Sequence, residues 1–505
     1  MYEEKQMNSF LTRGMLLSAL VASASGDVTA QEFKADVPKS IQTPDVVETE
    51  TLGKLDFFNG LPSPETVRKS YDFLDVARAT EAFIAGVPTA SLYAVLEGFK
   101  SVGMQPCDLG IFEDLLDART LFLTPNTTNV YAMMEINVKD GPVVVDVPPG
   151  VLGPVQDAFF RYVTDFGPVG PDEGKGGRYV FAHESYKGPL PEDTFQIRTK
   201  TYRNGGFFRA FVKDGDTAAA TNGIKESFSC YPFTRSGSPP EQRFVDLTGK
   251  KFNTIHSNDF TFFEEINAVI QYEPTEAYDP VSLGLFASIG IQKGKAFEPD
   301  ERMRSLLKEG VAIGNAAARS ISFANRDRSV YYYPDRQWYA SFAGPYDFIE
   351  DGALNSDKRV LWFYNATGVT PAMSTPQVGT GSVYPMAVRD SDGNYLDGGE
   401  SYSVTLPAPV PVNNFWAFTA YDGQTRSLLE TDQRSAGLDS TDPDVTPNDD
   451  GSYTVYFGPS APEGKESNWV QTAPGKSYFV FMRLYGPLEP WFDKTWKPGD
   501  FRKLD

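Results

Sequence analysis

The spacing of hydrophobic and polar positions changes period several times along the chain. Residues 31–62 are mostly polar, contain proline and hold no sustained period, so they read as a tail or linker. After a cap-like start at Ser63-Pro64-Glu65, residues Tyr71, Phe73, Leu74, Ala77, Ala82, Phe83 and Ile84 follow at helical spacing. A second amphipathic helix is predicted over residues 89–99, ending near Gly103. From about Asn129 the period falls to two. Strands are predicted at 143–147, 158–165, 178–182, 195–202, 207–212 and 243–247, with turn clusters such as Asn204-Gly205-Gly206 between them. Helical spacing returns between Ser257 and Ala324, where Asn258-Asp259 caps 260–270 and Pro299-Asp300-Glu301 opens 303–320. Beyond Val330 the strand period resumes at 360–364, 383–388, 402–406, 415–421, 453–457 and 478–484.

This pattern predicts a mainly β protein with α segments, built as two jelly-roll-like β-sandwich domains joined by a short helical region. The divisions fall at 63–256 for the N-terminal helices and first sandwich, 257–329 for the helical connector, and 330–505 for the second sandwich. Length agrees, because 505 residues exceed the ~250–300 that one core supports.

Charge narrows the partners. Acidic residues number 67 against 46 basic ones, a net charge of −21 that argues against nucleic acid and anionic membrane surfaces. At the N-terminus Arg13 precedes the apolar run 15–22, and small residues follow to Ala30, so residues 1–30 read as a signal peptide. A secreted or periplasmic location follows from that reading. No later run is expected to reach the ~20 apolar residues of a membrane helix, and no membrane span is expected. Cys107 and Cys230 are the only cysteines. They read either as buried free thiols or, in an oxidising compartment, as a disulfide.

Several chemistries lack their residues. With only His183 and His256, a histidine-rich metal centre is not expected. No GxSxG elbow accompanies either histidine, and Gly174-Lys175-Gly176-Gly177 lacks the spacing of a phosphate loop. The segment Asp390-Ser391-Asp392-Gly393 reads as a hairpin turn or as an oxygen-rich calcium loop. Any divalent metal would therefore be held by oxygen ligands, and no cofactor is certain.

The remaining candidates are arginines, carboxylates and hydrogen-bonding loops. Arg161 and Asp165 would share one face of an extended strand, with Arg178 close behind; guanidinium groups suit carboxylate, sulfate or phosphate. In the second half Arg426 and Asp432 sit in a polar run, and Arg483 and Tyr485 share a strand face. Asn126, Asn129 and Tyr131 lie in a segment able to orient a polar ligand, while turn chemistry explains Asn126 and Asn129 equally well. Trp416, Trp469 and Trp491 read as core or as pocket walls.

These segments resemble a paired family of domains, DUF1254 followed by DUF1214. The N-terminal likeness rests on Thr124-Pro125-Asn126-Thr127-Thr128-Asn129-Val130-Tyr131, on Arg161-Tyr162 with Asp165, and on Gly176-Gly177-Arg178-Tyr179. The C-terminal likeness rests on Asn414-Phe415-Trp416, Tyr421-Asp422, Gln424-Thr425-Arg426-Ser427, Thr431-Asp432-Gln433, Asn468-Trp469 and Arg483-Leu484-Tyr485. The resemblance implies two jelly rolls with a helical insertion, an exported or periplasmic protein, and hydrolase activity. In this chain Thr124 stands where the family commonly has Arg, Thr128 where it has Asp, and Asn129 where it has Thr. Roles that depend on that Arg or Asp are not carried over.

The function expected from these observations is hydrolysis of a small ester-like substrate, a carboxylic or sulfate ester, in a cleft between the sandwiches. Arg161, Arg178 and Arg426 would bind the anion, Asp165 or Asp432 would act as base or metal ligand, and Asn126, Asn129 and Tyr131 would orient the substrate. Trp416, Tyr421, Arg483 and Tyr485 complete the candidate lining. The competing expectation is a binding module for carbohydrate or another ligand, or a surface assembly protein acting as a homo-oligomer.

Overall fold

A computed structural model describes residues 36–213 and 215–504, so the predicted signal peptide lies outside the described residues. The chain divides into two compact units, one ending at Lys69 and one spanning Ser70–Asp505. In the first, β1 (Val46–Thr49) and β2 (Gly53–Phe58) form an antiparallel hairpin, and β3 (Leu61–Pro62) pairs with the end of β2. Helix α1 (Pro64–Ser101) starts where the Ser63 hydroxyl accepts the Thr66 amide at 3.2 Å. The two helices read at 63–84 and 89–99 are thus one. Around residues 87–96 almost every position is buried, Thr89 and Ser91 included, and a helix enclosed on all sides loses the amphipathic signal.

The second unit opens with β4 (Leu109–Ile111), β5 (Asn129–Asn137), β6 (Val143–Val147), β7 (Val151–Asp157) and β8 (Tyr162–Phe166). Then come β9 (Gly177–His183), β10 (Phe195–Thr199), β11 (Arg203–Phe211), α2 (Thr217–Ser227), β12 (Ser229–Pro232) and β13 (Phe244–Asp246). They make a six-stranded sheet in the order β13-β4-β5-β11-β7-β8 and a four-stranded sheet β10-β9-β6-β12. One core is shared by both sheets, with Val130, Ala132, Met134 and Ile136 from the first and Val143, Val145, Tyr179 and Phe181 from the second. That alternation of buried positions is what makes this half a sandwich.

Helices α3 (Thr261–Tyr272), α4 (Pro280–Ser288) and α5 (Glu301–Phe323) follow. Helix α5 lies hard against α1: a Cβ on Gly310 would meet the Ala79 Cβ at 2.3 Å, and one on Gly314 would meet the Phe83 Cβ at 2.7 Å. Helix α1 is long and apolar enough to cross a membrane, which the run-length reading above did not register, and 83% of its most apolar window is buried in the protein.

The last section comprises β14 (Tyr339–Ala340), β15 (Ile349–Glu350), β16 (Ala353–Leu354), α6 (Ser356–Phe363), α7 (Pro371–Ser374), β17 (Ser382–Val383) and β18 (Pro385–Ala387). It ends with β19 (Tyr402–Leu406), β20 (Val412–Asp422), β21 (Gly437–Asp439), β22 (Tyr453–Gly458), β23 (Trp469–Gln471), β24 (Tyr478–Pro487), α8 (Glu489–Phe492) and β25 (Arg502–Lys503). One sheet runs β14-β18-β24-β20-β21, with β17 also on β24, and the other β23-β22-β19-β25. Their shared core holds Val404, Trp416, Phe418, Ala420, Val455, Val480 and Met482. The protein is mainly β with α segments, as the periodicity predicts.

One predicted strand begins later than expected and another is helical. The segment 158–165 turns at 158–161 before β8 begins, because the Asp157 carboxylate accepts the amides of Phe159 and Arg161, both at 2.9 Å. Residues 360–364 belong to α6 and its end, where Asn355 caps the helix by accepting the Lys358 amide at 3.0 Å. A short run apolar on every side reads the same way as a buried strand or a buried helix turn.

Candidate functional site at the seam between the sandwiches

Each large sheet has a second face, turned away from its own sandwich core. In the N-terminal sheet, register sets Arg209 of β11 beside Tyr131 of β5 and Leu152 of β7. On the edge strand Asp165 pairs with Pro154, and a Cβ on Gly368 would touch that proline at 3.6 Å, so this face meets the C-terminal half. A bulge between Val155 and Gln156 brings Tyr162, paired with Gln156, onto the same face as Asp165 despite their three-residue spacing. In the C-terminal sheet, Thr419 and Tyr421 of β20 and Phe481, Arg483 and Tyr485 of β24 alternate with the core residues and form the opposing face.

The loop 124–129 is the joint. Tyr421 donates its hydroxyl to the Pro125 carbonyl at 2.6 Å, and Arg483 donates to Tyr421 at 2.7 Å, to the Thr124 carbonyl at 3.0 Å and to the Thr419 hydroxyl at 2.9 Å. The Thr124 amide donates to the Arg426 carbonyl at 3.0 Å, and the Thr124 hydroxyl bonds the Asn365 carbonyl. Thr124 and Arg426 both hold left-handed backbone, at φ 39° and 66°, a conformation non-glycine residues keep only where surroundings enforce it. Asn126 organises the loop from within, its side-chain oxygen accepting the amides of Thr128 and Asn129, both at 3.1 Å. Asn129 donates its side-chain amide back to Asn126 at 3.2 Å. Both asparagines therefore act on the loop itself. Tyr131 accepts the Asn126 amide on its hydroxyl at 3.1 Å and stays half-buried.

Electrostatics sets this seam apart. Burial opposes charge on Arg483, yet the phenolic oxygens of Tyr421, Tyr485 and Tyr131 hold its pKa above the ordinary value. Arg209 is raised likewise against burial, by Tyr384, Tyr131 and Tyr485. Burial pushes the Tyr421 phenol up to about 12. Asp165 is 2% exposed, its Oδ1 has no hydrogen-bond partner, and burial, opposed only by Tyr162, lifts its pKa to about 7. Arg426 is fully buried on Tyr364, and His256, also buried, falls to about 3 through burial and the charge of Arg426. In a chain with 21 excess negative charges, Arg209, Arg426 and Arg483 have no ion pair among the described residues.

Family models match on both sides of this seam. Residues 108–232 match a protein of unknown function, DUF1254, and residues 381–489 match another, DUF1214. The two matches fall in the order DUF1254 then DUF1214. The VPA0106 protein from Vibrio parahaemolyticus, in its crystal structure, shares 18% identity at a TM-score of 0.53, covering 85% of this chain and 100% of its own. An uncharacterised protein from Burkholderia cenocepacia aligns at 13% identity and TM-score 0.38, covering 86% of this chain and 96% of its own. No curated protein matches the chain.

Within the fold the motifs read from sequence part company. The seam gathers Asn126, Asn129, Tyr131, Tyr421, Arg426, Arg483 and Tyr485, with Asp165 on the same sheet face. Five candidates lie elsewhere. Arg161 does not reach Asp165; it pairs with Asp157 at 2.6 Å and donates to the Ala277 carbonyl at 2.7 Å, because the chain turns before β8. Arg178 pairs with Asp146 across β6 and β9 at 2.7 Å and is half-exposed. Asp432 is exposed and accepts the Gln471 side-chain amide at 2.9 Å. Trp416 is core, packed edge-on against Phe418 and Tyr453. Trp469 donates its ring N–H to the Gly458 carbonyl at 2.9 Å.

Arg209, Tyr364, Tyr384 and His256 were missed as site residues. The signal for Arg209 was present, a lone cation in Phe207-Phe208-Arg209-Ala210-Phe211 on the face opposite Phe208. Asp390 folds its own turn, its Oδ1 accepting the amides of Asp392 at 3.0 Å and Asn394 at 2.9 Å. Among the described residues no group of three or more His, Cys, Asp or Glu could hold a metal. Clefts of about 350, 240 and 470 Å³ lie apart from the seam, along α1, α3 and the loops beside them. In the first of these Arg203 is neutralised by Glu135 at 2.8 Å and Glu97 at 3.1 Å.

Proposed function

We propose that this protein hydrolyses a small ester carrying an anionic group, at the seam face of the N-terminal sheet. One observation carries the reading: a buried carboxyl with a free oxygen and a pKa near neutrality, Asp165, shares a sheet face with a guanidinium lacking any carboxylate, Arg209. Two strand spacings and two residues separate them, about 12 Å between Cα atoms. Arg209 would hold the anion, and Asp165 would take a proton from the attacking water while the water oxygen adds to the ester carbonyl. The departing alkoxide would leave with that proton. The reading places the catalytic role on Asp165, moves anion binding from Arg161 and Arg178 to Arg209, and makes Arg483 and Tyr421 positioning residues for the 124–129 loop.

The test is a panel of p-nitrophenyl carboxylic and sulfate esters, with and without a carboxylate on the acyl side. Arg209→Met is expected to lower kcat/KM about 10–100-fold for anionic esters and little for neutral ones. Wild-type kcat/KM is expected to rise with pH through about 7, the value at which Asp165 loses its proton. Equal rates for Arg209→Met and wild type on every ester would sink the assignment.

A binding function is favoured by a different observation, the 350 Å³ cleft lined by Tyr93, Phe99 and Tyr272 with Glu97, Asn137 and Arg203. Its charges are internally compensated, which suits a neutral polyhydroxylated ligand better than chemistry. Saccharide binding lost in Tyr272→Ala, with no ester turnover by wild type, would favour it.

A further inference from the structure

Arg426 is enclosed by the protein and is not one of the groups of the Asp165–Arg209 face. The side chain is 0% exposed, and none of its three guanidinium nitrogens has a hydrogen-bond partner. It stacks on the Tyr364 ring at 3.8 Å, and the Tyr364 hydroxyl is turned to Asn315, to which it donates at 2.7 Å. Of the two acids four residues away in sequence, Glu430 is exposed, and Asp422 is already taken by the Lys476 ammonium and by the amides of Gln424 and Thr425 at 2.7 and 3.1 Å. A charge of the same sign acts on it: Arg319, which donates to the Gly423 carbonyl at 2.9 Å and the Gln424 side chain at 2.9 Å. His256 rests edge-on to Phe262 and 6.0 Å from the Tyr364 ring, and its Nε2 is also unpartnered.

A guanidinium does not shed its proton at neutral pH, so burial leaves it charged. A cation taken from water with no counter-charge and no hydrogen bonds costs several kcal/mol, and natural proteins offset that cost with a partner. No side chain here supplies one. We propose that a compartment walled by Arg426, Tyr364 and His256 holds a chloride-sized monoanion, taken up on folding and accepting the free guanidinium N–H groups. The left-handed backbone of Arg426 is tied to Asp422 through its amide at 2.8 Å and to Thr124 through its carbonyl, which fixes the position of the side chain's root. An anion there would tie the two halves of the seam together without taking part in catalysis.

Thermal unfolding of the full chain would be followed in sodium gluconate exchanged stepwise for sodium chloride or bromide at constant ionic strength. A bound anion stabilises the folded state by mass action, so Tm is expected to rise and saturate, by about 3 °C or more at 0.5 M halide. Arg426→Met is expected to flatten that response, whereas Arg209→Met keeps it, which separates this site from the proposed catalytic face. Bromide-soaked wild-type crystals would show an anomalous peak beside the guanidinium even if Arg426→Met failed to fold. A Tm indifferent to halide, a response surviving in Arg426→Met, or only water density in the compartment would overturn the proposal.

Discussion

Asp165→Asn is expected to unfold less readily than wild type at pH 8, while losing about 10²–10⁴-fold in ester hydrolysis. The folded-state pKa of Asp165 lies near 7, above the unfolded carboxyl value of 3.8. Between those values the folded chain binds more protons than the unfolded one, so stability falls as pH rises through that window and the loss is complete above about 7. The cost of ionising this carboxyl in place is on the order of 2–4 kcal/mol. Asparagine cannot ionise, so the variant should match wild type near pH 4 and exceed it at pH 8. Urea unfolding at both pH values measures the difference. Parallel stability profiles for the two proteins would mean that Asp165 is not buried as a neutral acid. A gain in stability with a loss of activity is the pattern expected where function keeps a strained group in place.

Gly310→Val is expected to destabilise the second unit by ~3 kcal/mol, through overpacking rather than lost contacts. With a Cβ only 2.3 Å from the Ala79 Cβ, α5 must slide away from α1. Neither backbone can yield locally, since the Thr80 hydroxyl donates to the Gly310 carbonyl at 3.3 Å and both helices are buried along this line. Gly310→Ala should cost less, because one methyl demands a smaller shift. Gly284→Ala, where a Cβ meets nothing within 4 Å, should be nearly neutral or stabilising and serves as the control. Denaturant midpoints of the three variants order these costs, and a Gly310→Val midpoint equal to wild type would show that the helices separate freely.

Much of the architecture was legible in the chain. The alternation of Val130, Ala132, Met134 and Ile136 against Tyr131 and Met133 declares a strand with two different faces, and the same holds for Val480, Met482 and Leu484 against Phe481, Arg483 and Tyr485. Capping residues marked α1 and α5, through Ser63 and Asp300. Where burial is complete the period vanishes, and α6 and the middle of α1 were misread for that reason.

The candidate site was legible only in part. Sequence picked out Arg426 from its polar run and Arg483 with Tyr485 from their shared strand face. It also paired Arg161 with Asp165, since four residues of unbroken strand return a side chain to the same face. The turn at 158–161 sends Arg161 to Asp157 instead, and the bulge in β7–β8 sets Tyr162, not Arg161, beside Asp165. Local spacing cannot register a bulge, because the extra residue is placed by the partner strand.

Sequence by itself therefore determined the mainly β architecture, the helical connector and the polar character of the 124–129 and 424–427 segments, since each follows from local period and turn chemistry. Tertiary structure alone decided which arginines are paired and which are not. Asp146 and Asp157 neutralise Arg178 and Arg161, while Arg209, Arg426 and Arg483 come to the seam with no carboxylate to meet them. Ion pairing depends on distances across strands and between sandwiches, which no window of sequence contains.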